Sequence, residues 1–292
     1  MHRGRAVFTS HDPDGRGARP PRQAEQRTRP VEDFKVAISD PGEIGRKDQN
    51  RGDRFIVHLS NLCAWLFPIL MLAICAQVVL RQMGHNQAWL DDLQWWLYGV
   101  AVLIGIAYAV TTGSHVRVDI FYDNFAKKKR LIIDIIALVW LFFPFVLLCW
   151  DVTLDYALTS IAADEGSSSP NGLHNLWILK TLMNLSFIVI MVAIWAAYVR
   201  HLSQLTRPAL WKQLLFALPS TVFGLQLIIW YACVGWLMAT DPEVDSIRTA
   251  TRAAIFDDLE FGPWEMKKTI ALALVAAVVV IVVARLFARK ER

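Results

Sequence analysis

Six long stretches of this 292-residue sequence are nearly free of ionisable side chains. They run Ile56–Leu80, Leu93–Thr112, Leu131–Trp150, Trp177–Val199, Leu214–Met238 and Thr269–Ala284, and of all Asp, Glu, Lys and Arg only Asp134 and Lys180 fall inside them. A helix of about 20 apolar residues rises ~1.5 Å per residue and crosses the ~30 Å hydrocarbon layer of a bilayer, so each stretch reads as a membrane span. The sequence therefore predicts an all-α, polytopic transmembrane helical bundle, a four-helix core followed by a C-terminal helical hairpin. Membrane proteins that pass ions or protons through themselves keep costly ionisable groups on the path. Without them, a self-contained channel or carrier would have to rely on Gln77, Asn184, Ser186 and Gln226. Isolated polar residues of that kind more often bond between helices.

Other shortages narrow the field further. Cys63, Cys75, Cys149 and Cys233 lie within or at the end of spans, with no CxxC pair and no Cys/His cluster. That pattern argues against a disulfide framework, zinc or an iron–sulfur cluster. A haem-bearing membrane anchor of a quinone-linked oxidoreductase, the alternative reading, needs two axial His on different helices at one depth. Instead His58, His115 and His201 fall at one edge of the spans, and His85 and His174 in loops at the other. His115 and Asp119 are four apart, but no nucleophile accompanies them. No catalytic, cofactor-binding or metal-binding residue is assigned, and the chain is read as not an enzyme. No apolar signal segment precedes Ile56, so the first span is expected to be retained.

The polar parts of the chain are informative in their own right. Residues 1–54 are rich in Arg, Pro and Gly, lack apolar periodicity, and read as a disordered cytoplasmic tail. Their 12 Lys or Arg against 9 Asp or Glu are not one-sided enough for a nucleic-acid-binding arm. Residues 55–200 hold four spans, and residues 201–292 hold two more with a periplasmic loop between them. Lys and Arg in short loops collect on the cytoplasmic side. Arg46, Lys47, Arg51 and Arg54 precede the first span; Arg117 and Lys127 to Arg130 follow the second; Arg200, Arg207 and Lys212 follow the fourth. On the other side Arg81 stands beside Asp91 and Asp92, and residues 151–176 hold Asp151, Asp155, Asp164 and Glu165 with no Lys or Arg. Both termini are thus expected in the cytoplasm.

The most specific text surrounds the second span. Asp91 and Asp92 stand where a helix begins, placed to cap free N–H groups and to meet the positive end of the helix dipole. A pair between one of them and Arg81 would close the outer hairpin. Gly99, Gly105, Ala107 and Ala109 would let the second helix approach a neighbour closely. His115, Arg117 and Asp119, followed by Lys127 to Arg130, read as a segment lying along the inner interface against anionic lipid headgroups.

A span ending in Arg81, then Trp89, Asp91 and Asp92, a second span with Gly105, and the run His115-Val-Arg117-Val-Asp119 together resemble a known family. It is the DctQ-type small membrane subunit of TRAP (tripartite ATP-independent periplasmic) transporters. The resemblance covers about Ile56 to Arg200 and includes the outer-loop run SSSPNGLHNLWILK. The sequence departs from the family in carrying Asp91 and Asp92 where Glu-Glu is usual, and in its long N-terminal tail and two further spans.

The resemblance implies a small integral-membrane scaffold subunit of a sodium-coupled, binding-protein-dependent secondary transporter for organic acids. Such a subunit braces a large TRAP membrane subunit, which moves the substrate. In that setting Asp91, Asp92, Asp164 and Glu165 would help dock the periplasmic substrate-binding protein. The implied partners are those two proteins and membrane lipids, and not nucleic acid.

Overall fold

The computed structural model describes residues 47–114, 122, 124–241, 244, 247–261 and 264–290. Among them, six helical segments are long and apolar enough to cross a membrane: Arg51–Gln82, Ala88–Thr112, Lys127–Ala162, Trp177–Leu205, Leu218–Thr240 and Lys268–Arg289. The molecule is an all-α polytopic bundle, as its composition predicts. The exception is a short antiparallel pair, β1 (Asp258–Phe261) and β2 (Trp264–Lys267), in register Asp258↔Lys267. Apolar and polar residues alternate over these few positions, too briefly to register against the long spans on either side. Lys267 and Asp258 pair across the strands at 2.9 Å.

Prolines divide three of the spans. The first consists of α1 (Arg51–Cys63) and α2 (Leu66–Gln82). Pro68 has no N–H to give the carbonyl of Ala64, and Phe67 bonds that carbonyl instead at 3.2 Å. The third span runs from α4 (Lys127–Ile136) through a π-helical turn (Ala137–Phe142) into α5 (Phe143–Ala162). Pro144, the second residue of α5, stands just beyond that turn, at a place where a missing donor loosens the ladder. Pro219 stands at the start of α8 (Leu218–Thr240), which Ala217 separates from the short α7 (Leu210–Phe216). The remaining long elements are α3 (Ala88–Thr112), α6 (Trp177–Leu205) and α10 (Lys268–Lys290), with the single turn α9 (Ile247–Ala250) between α8 and β1. Gly113 ends α3 in the left-handed region, φ 67°, where its N–H bonds Ala109.

The third span extends past its apolar run. Sequence alone ends it at Trp150 and places Asp151 and Asp155 in a loop, whereas the helix continues to Ala162 and carries both acids. Ala157 and Ser160, each about 3% exposed or less, pack this extension into the bundle. Tyr231 donates to Asp151 Oδ1 at 2.7 Å, which gives the carboxylate a partner without a loop. Arg200, expected in the loop after the fourth span, likewise lies inside α6.

Ile56, Ala107, Val146, Ile190, Ala193 and Ile194 form the core shared by the first four spans. A second cluster, Ile135, Val139, Tyr198, Leu202 and Ala217, joins the third and fourth spans to the start of the hairpin. The hairpin is fastened to the third span by polar bonds as well. Ser220 donates to the carbonyl of Val139 within the π turn, and Trp140 Nε1 donates to that of Phe216 at 2.8 Å. Outside these seams large apolar side chains such as Trp65, Met71, Leu141 and Trp236 are exposed. For a spanning protein, hydrocarbon is the solvent such faces meet.

Candidate functional site: polar clasps at the two ends of the bundle

One end of the bundle is closed around the start of α1. Asn50 caps that helix: its side chain accepts from the N–H of Asp53 at 2.9 Å, and Asp53 Oδ2 accepts from the N–H of Asn50 at 3.1 Å. This reciprocal capping box satisfies two otherwise orphaned donors. Asn50 Nδ2 also donates to the carbonyl of Ala196 on α6 at 2.7 Å. Arg200, one turn further along α6, pairs with Asp53 Oδ2 at 2.7 Å, and Asp53 has no exposed side-chain surface at all. The same guanidinium donates to the carbonyl of Thr111 near the end of α3 at 2.8 Å. Three spans therefore meet at one ion pair. Gly52 makes the close approach possible, because a Cβ there would stand 2.9 Å from Ala196 Cβ.

The opposite end is built from the loops after α2 and α5. Asp91 lies in the first turn of α3 and Asp92 next to it, yet neither caps that helix: the cap residue is Gln87, with no side-chain bond. Asp91 instead accepts from Gln77 Nε2 on α2 and stands 3.9 Å from Arg81. The Arg81 pair closes the hairpin as the sequence suggests, but both side chains are about half exposed or more, and such pairs contribute little. Gln94 completes the link by donating to Gln77. Asp92 reaches the second loop, where its Oδ2 accepts from the N–H of Leu173 at 2.9 Å. Gly172 is required beside it, since a Cβ there would come within 2.6 Å of Asp92 Oδ2. Asp164, Asn171 and Asn175 turn this loop at φ 44°, 59° and 64°, a region Asp and Asn enter more readily than most residues.

Lys180 and Glu165 form the second half of this end. Lys180 is buried, donates to Glu165 Oε2, and lies 3.7 Å over the ring of Tyr156. Ser160 donates to the same oxygen at 2.6 Å. These hydrogen bonds, that of Lys180 foremost, hold the Glu165 carboxyl below the ordinary Glu value of 4.5. Since the folded state is the more acidic, the contribution of this clasp is complete above 4.5 and is lost as pH falls through the lowered value. Hydrogen-exchange protection over residues 163–176 is expected to fall in that acid range in the native protein. Glu165→Gln should show no such step, and an identical acid profile for the two proteins would disprove the assignment.

Several residues singled out in the sequence take different places. Trp89 Nε1 donates to Gln87 at 3.0 Å on the exposed surface. Gly99 and Gly105 face open space, so within this chain the close helix approach falls to Gly52, while Ala107 is the buried member of the α3 set. Asp164 is exposed, whereas Asp91, Asp92 and Glu165 all have partners inside the chain. His115, Arg117 and Asp119 lie outside the described residues, as does nearly all of the N-terminal tail. Asp134 accepts from Tyr122 at 2.6 Å, and Asn184 donates to the carbonyl of Trp150 at 2.8 Å and to Thr153 at 2.9 Å. Gln226 donates to Thr269 at 3.0 Å and links the two hairpin helices. The capping spacing Asn50-x-x-Asp53 was the overlooked signal at the first end, hidden at the edge of a segment that reads as unstructured.

By class, then, the molecule is a multi-pass helical membrane protein whose polar side chains tie its helix ends together. Residues 70–204 match the model of the family of tripartite ATP-independent periplasmic transporters, DctQ component, and this region is similar to a DctQ-type small membrane subunit. The match begins in the second turn of α2 and ends at the last turn of α6, so it takes in most of the four-span unit and stops before the hairpin. No curated protein and no solved structure matches the chain significantly. The family is described as a transporter component, which favours the transporter reading over the haem-bearing anchor.

Proposed function

We propose that this protein is the scaffold subunit of its TRAP transporter, bracing the large membrane subunit while that partner moves the substrate. The observation that carries the reading is how the polar groups of the four-span unit are used. Asp53, Arg200, Lys180, Gln77 and Asn184 all bond between helices or to helix-end loops, leaving a core of Ile, Val and Ala. A rigid insert suits a stationary support, and a substrate path would need such groups turned toward a channel. Sodium coupling and an organic-acid substrate belong, in this reading, to the large subunit. In this reading both termini are cytoplasmic, as the basic loops favour, and the clasp of Asp92, Gly172 and Leu173 is on the periplasmic side. There the exposed Asp164 and the edges of Asp91, Asp92 and Glu165 help position the substrate-binding protein.

Co-expression with a large TRAP membrane subunit from the same genome and affinity purification through a tag on this chain test the proposal. A stoichiometric complex that survives mild detergent is expected. Recovery of this chain alone, although both proteins are present in the membrane, would refute it. Cysteine labelling of an added residue at Asp164 should proceed from the periplasmic side only, and labelling from the cytoplasm would reverse the assigned topology.

A further inference from the structure

Between the third span and the hairpin lies a cavity of about 700 Å³, with one wall inside the segment that matches the family and the other beyond it. Asp151 and Asp155, one turn apart on α5, line one wall. Phe223, Leu227 and Tyr231 line the other, and their spacing of four residues makes a single stripe along α8. Arg248, on the turn α9, lines the cavity as well. The Tyr231 hydroxyl occupies Asp151 Oδ1. Asp155 and Arg248 are both exposed and enter no salt bridge among the described residues.

This arrangement has two unlike parts. Phe223 and Leu227 provide an apolar slot running from Tyr231 toward the start of α8. Above it, the carboxylates favour a cation and Arg248 favours an anion, with the rings of Trp230 and Tyr231 packed edge to face at 4.8 Å beside them. Carboxylates on a lipid-facing seam are costly unless something compensates them. A ligand that suits the whole cavity carries an ammonium, a phosphate and a hydrocarbon tail on one molecule.

We infer that the cavity is a binding site for an aminophospholipid, with its primary ammonium on Asp155 and Asp151, its phosphate on Arg248 and an acyl chain along Leu227 and Phe223. The primary amine matters because each N–H can donate to a carboxylate oxygen, which a choline headgroup cannot do. The lipid then acts as a wedge that holds the hairpin against the four-span unit beyond their direct bonds. The site requires only the membrane environment and does not depend on the identity of the large subunit.

Native mass spectrometry of the full chain tests this after reconstitution with equal amounts of phosphatidylethanolamine, phosphatidylcholine and phosphatidylglycerol of matched acyl chains. Retention of phosphatidylethanolamine should exceed that of either competitor about tenfold, the scale of a charge-assisted hydrogen bond. It should decline stepwise through the mono- and dimethylated headgroups, a series that needs no variant protein. Asp155→Asn and Arg248→Gln, which break no side-chain bond among the described residues, should each lower retention about tenfold. Soluble phosphoethanolamine should not displace the lipid. Equal retention of the ethanolamine and choline lipids, preference for phosphatidylglycerol, or unchanged retention in both variants would overturn the inference. So would displacement by phosphoethanolamine, which would assign the cavity to a soluble solute.

Discussion

Replacing Arg200 with alanine is expected to lower the unfolding free energy of the protein by about 3–5 kcal/mol, the scale of a buried charge left without its partner. Asp53 is fully enclosed and its counter-ion is only 15% exposed, so water cannot take over the role of the guanidinium. The same change strips the Thr111 carbonyl of its donor and unties α3 from α6. Denaturation in mixed micelles, followed by Trp fluorescence, provides the measurement. The double variant Asp53→Leu with Arg200→Leu should recover much of the loss, because it removes the buried charge as well as its partner. A single-variant cost under about 1 kcal/mol would place the pair with exposed salt bridges and contradict the clasp described above.

A second large effect is expected at Gly52. Even the Cβ of alanine would stand 2.9 Å from Ala196 Cβ, so the branched side chain of Gly52→Val has to push α1 away from α6. Overpacking of this kind costs about 1–3 kcal/mol. The displacement also stretches the Asn50 to Ala196 bond and the Asp53 to Arg200 pair, which start from the same turn. The loss should therefore exceed that of Gly105→Val, where the new side chain meets open space, when the two are compared in the same micelle assay. Within a complex the order can be read again: a Gly105→Val variant that is stable alone but fails to assemble would identify the Gly105 face as a contact with the large subunit.

The six spans were legible because a membrane demands long apolar runs, and the all-α class followed directly. The helix ends were less so. Apolar runs report where hydrocarbon contact stops, whereas backbone bonds decide where a helix stops, and α5 continues for twelve residues beyond Trp150. Asp151 and Asp155 were thus misplaced in a loop. The Arg81 and Asp91 pair was visible from charge and spacing, but Asp92 binding Leu173 was not, since the two lie 81 residues apart. Arg200 reads as an ordinary cytoplasmic loop cation until Asp53 is placed beside it. The glycines divided similarly: a small residue signals the possibility of close packing, and only the neighbouring surface decides whether Gly52 or Gly105 uses it.

The π turn at Ala137–Phe142 also sets the rotational phase of everything beyond it. A π turn holds one residue more than the α-helix would need, and one residue corresponds to ~100° of rotation. Without that residue α5 would turn its Asp151 face away from Tyr231, and the hairpin would meet a different side of the third span. The angular position of the hairpin, and of the cavity it encloses, is encoded as a local miscount in a single helix.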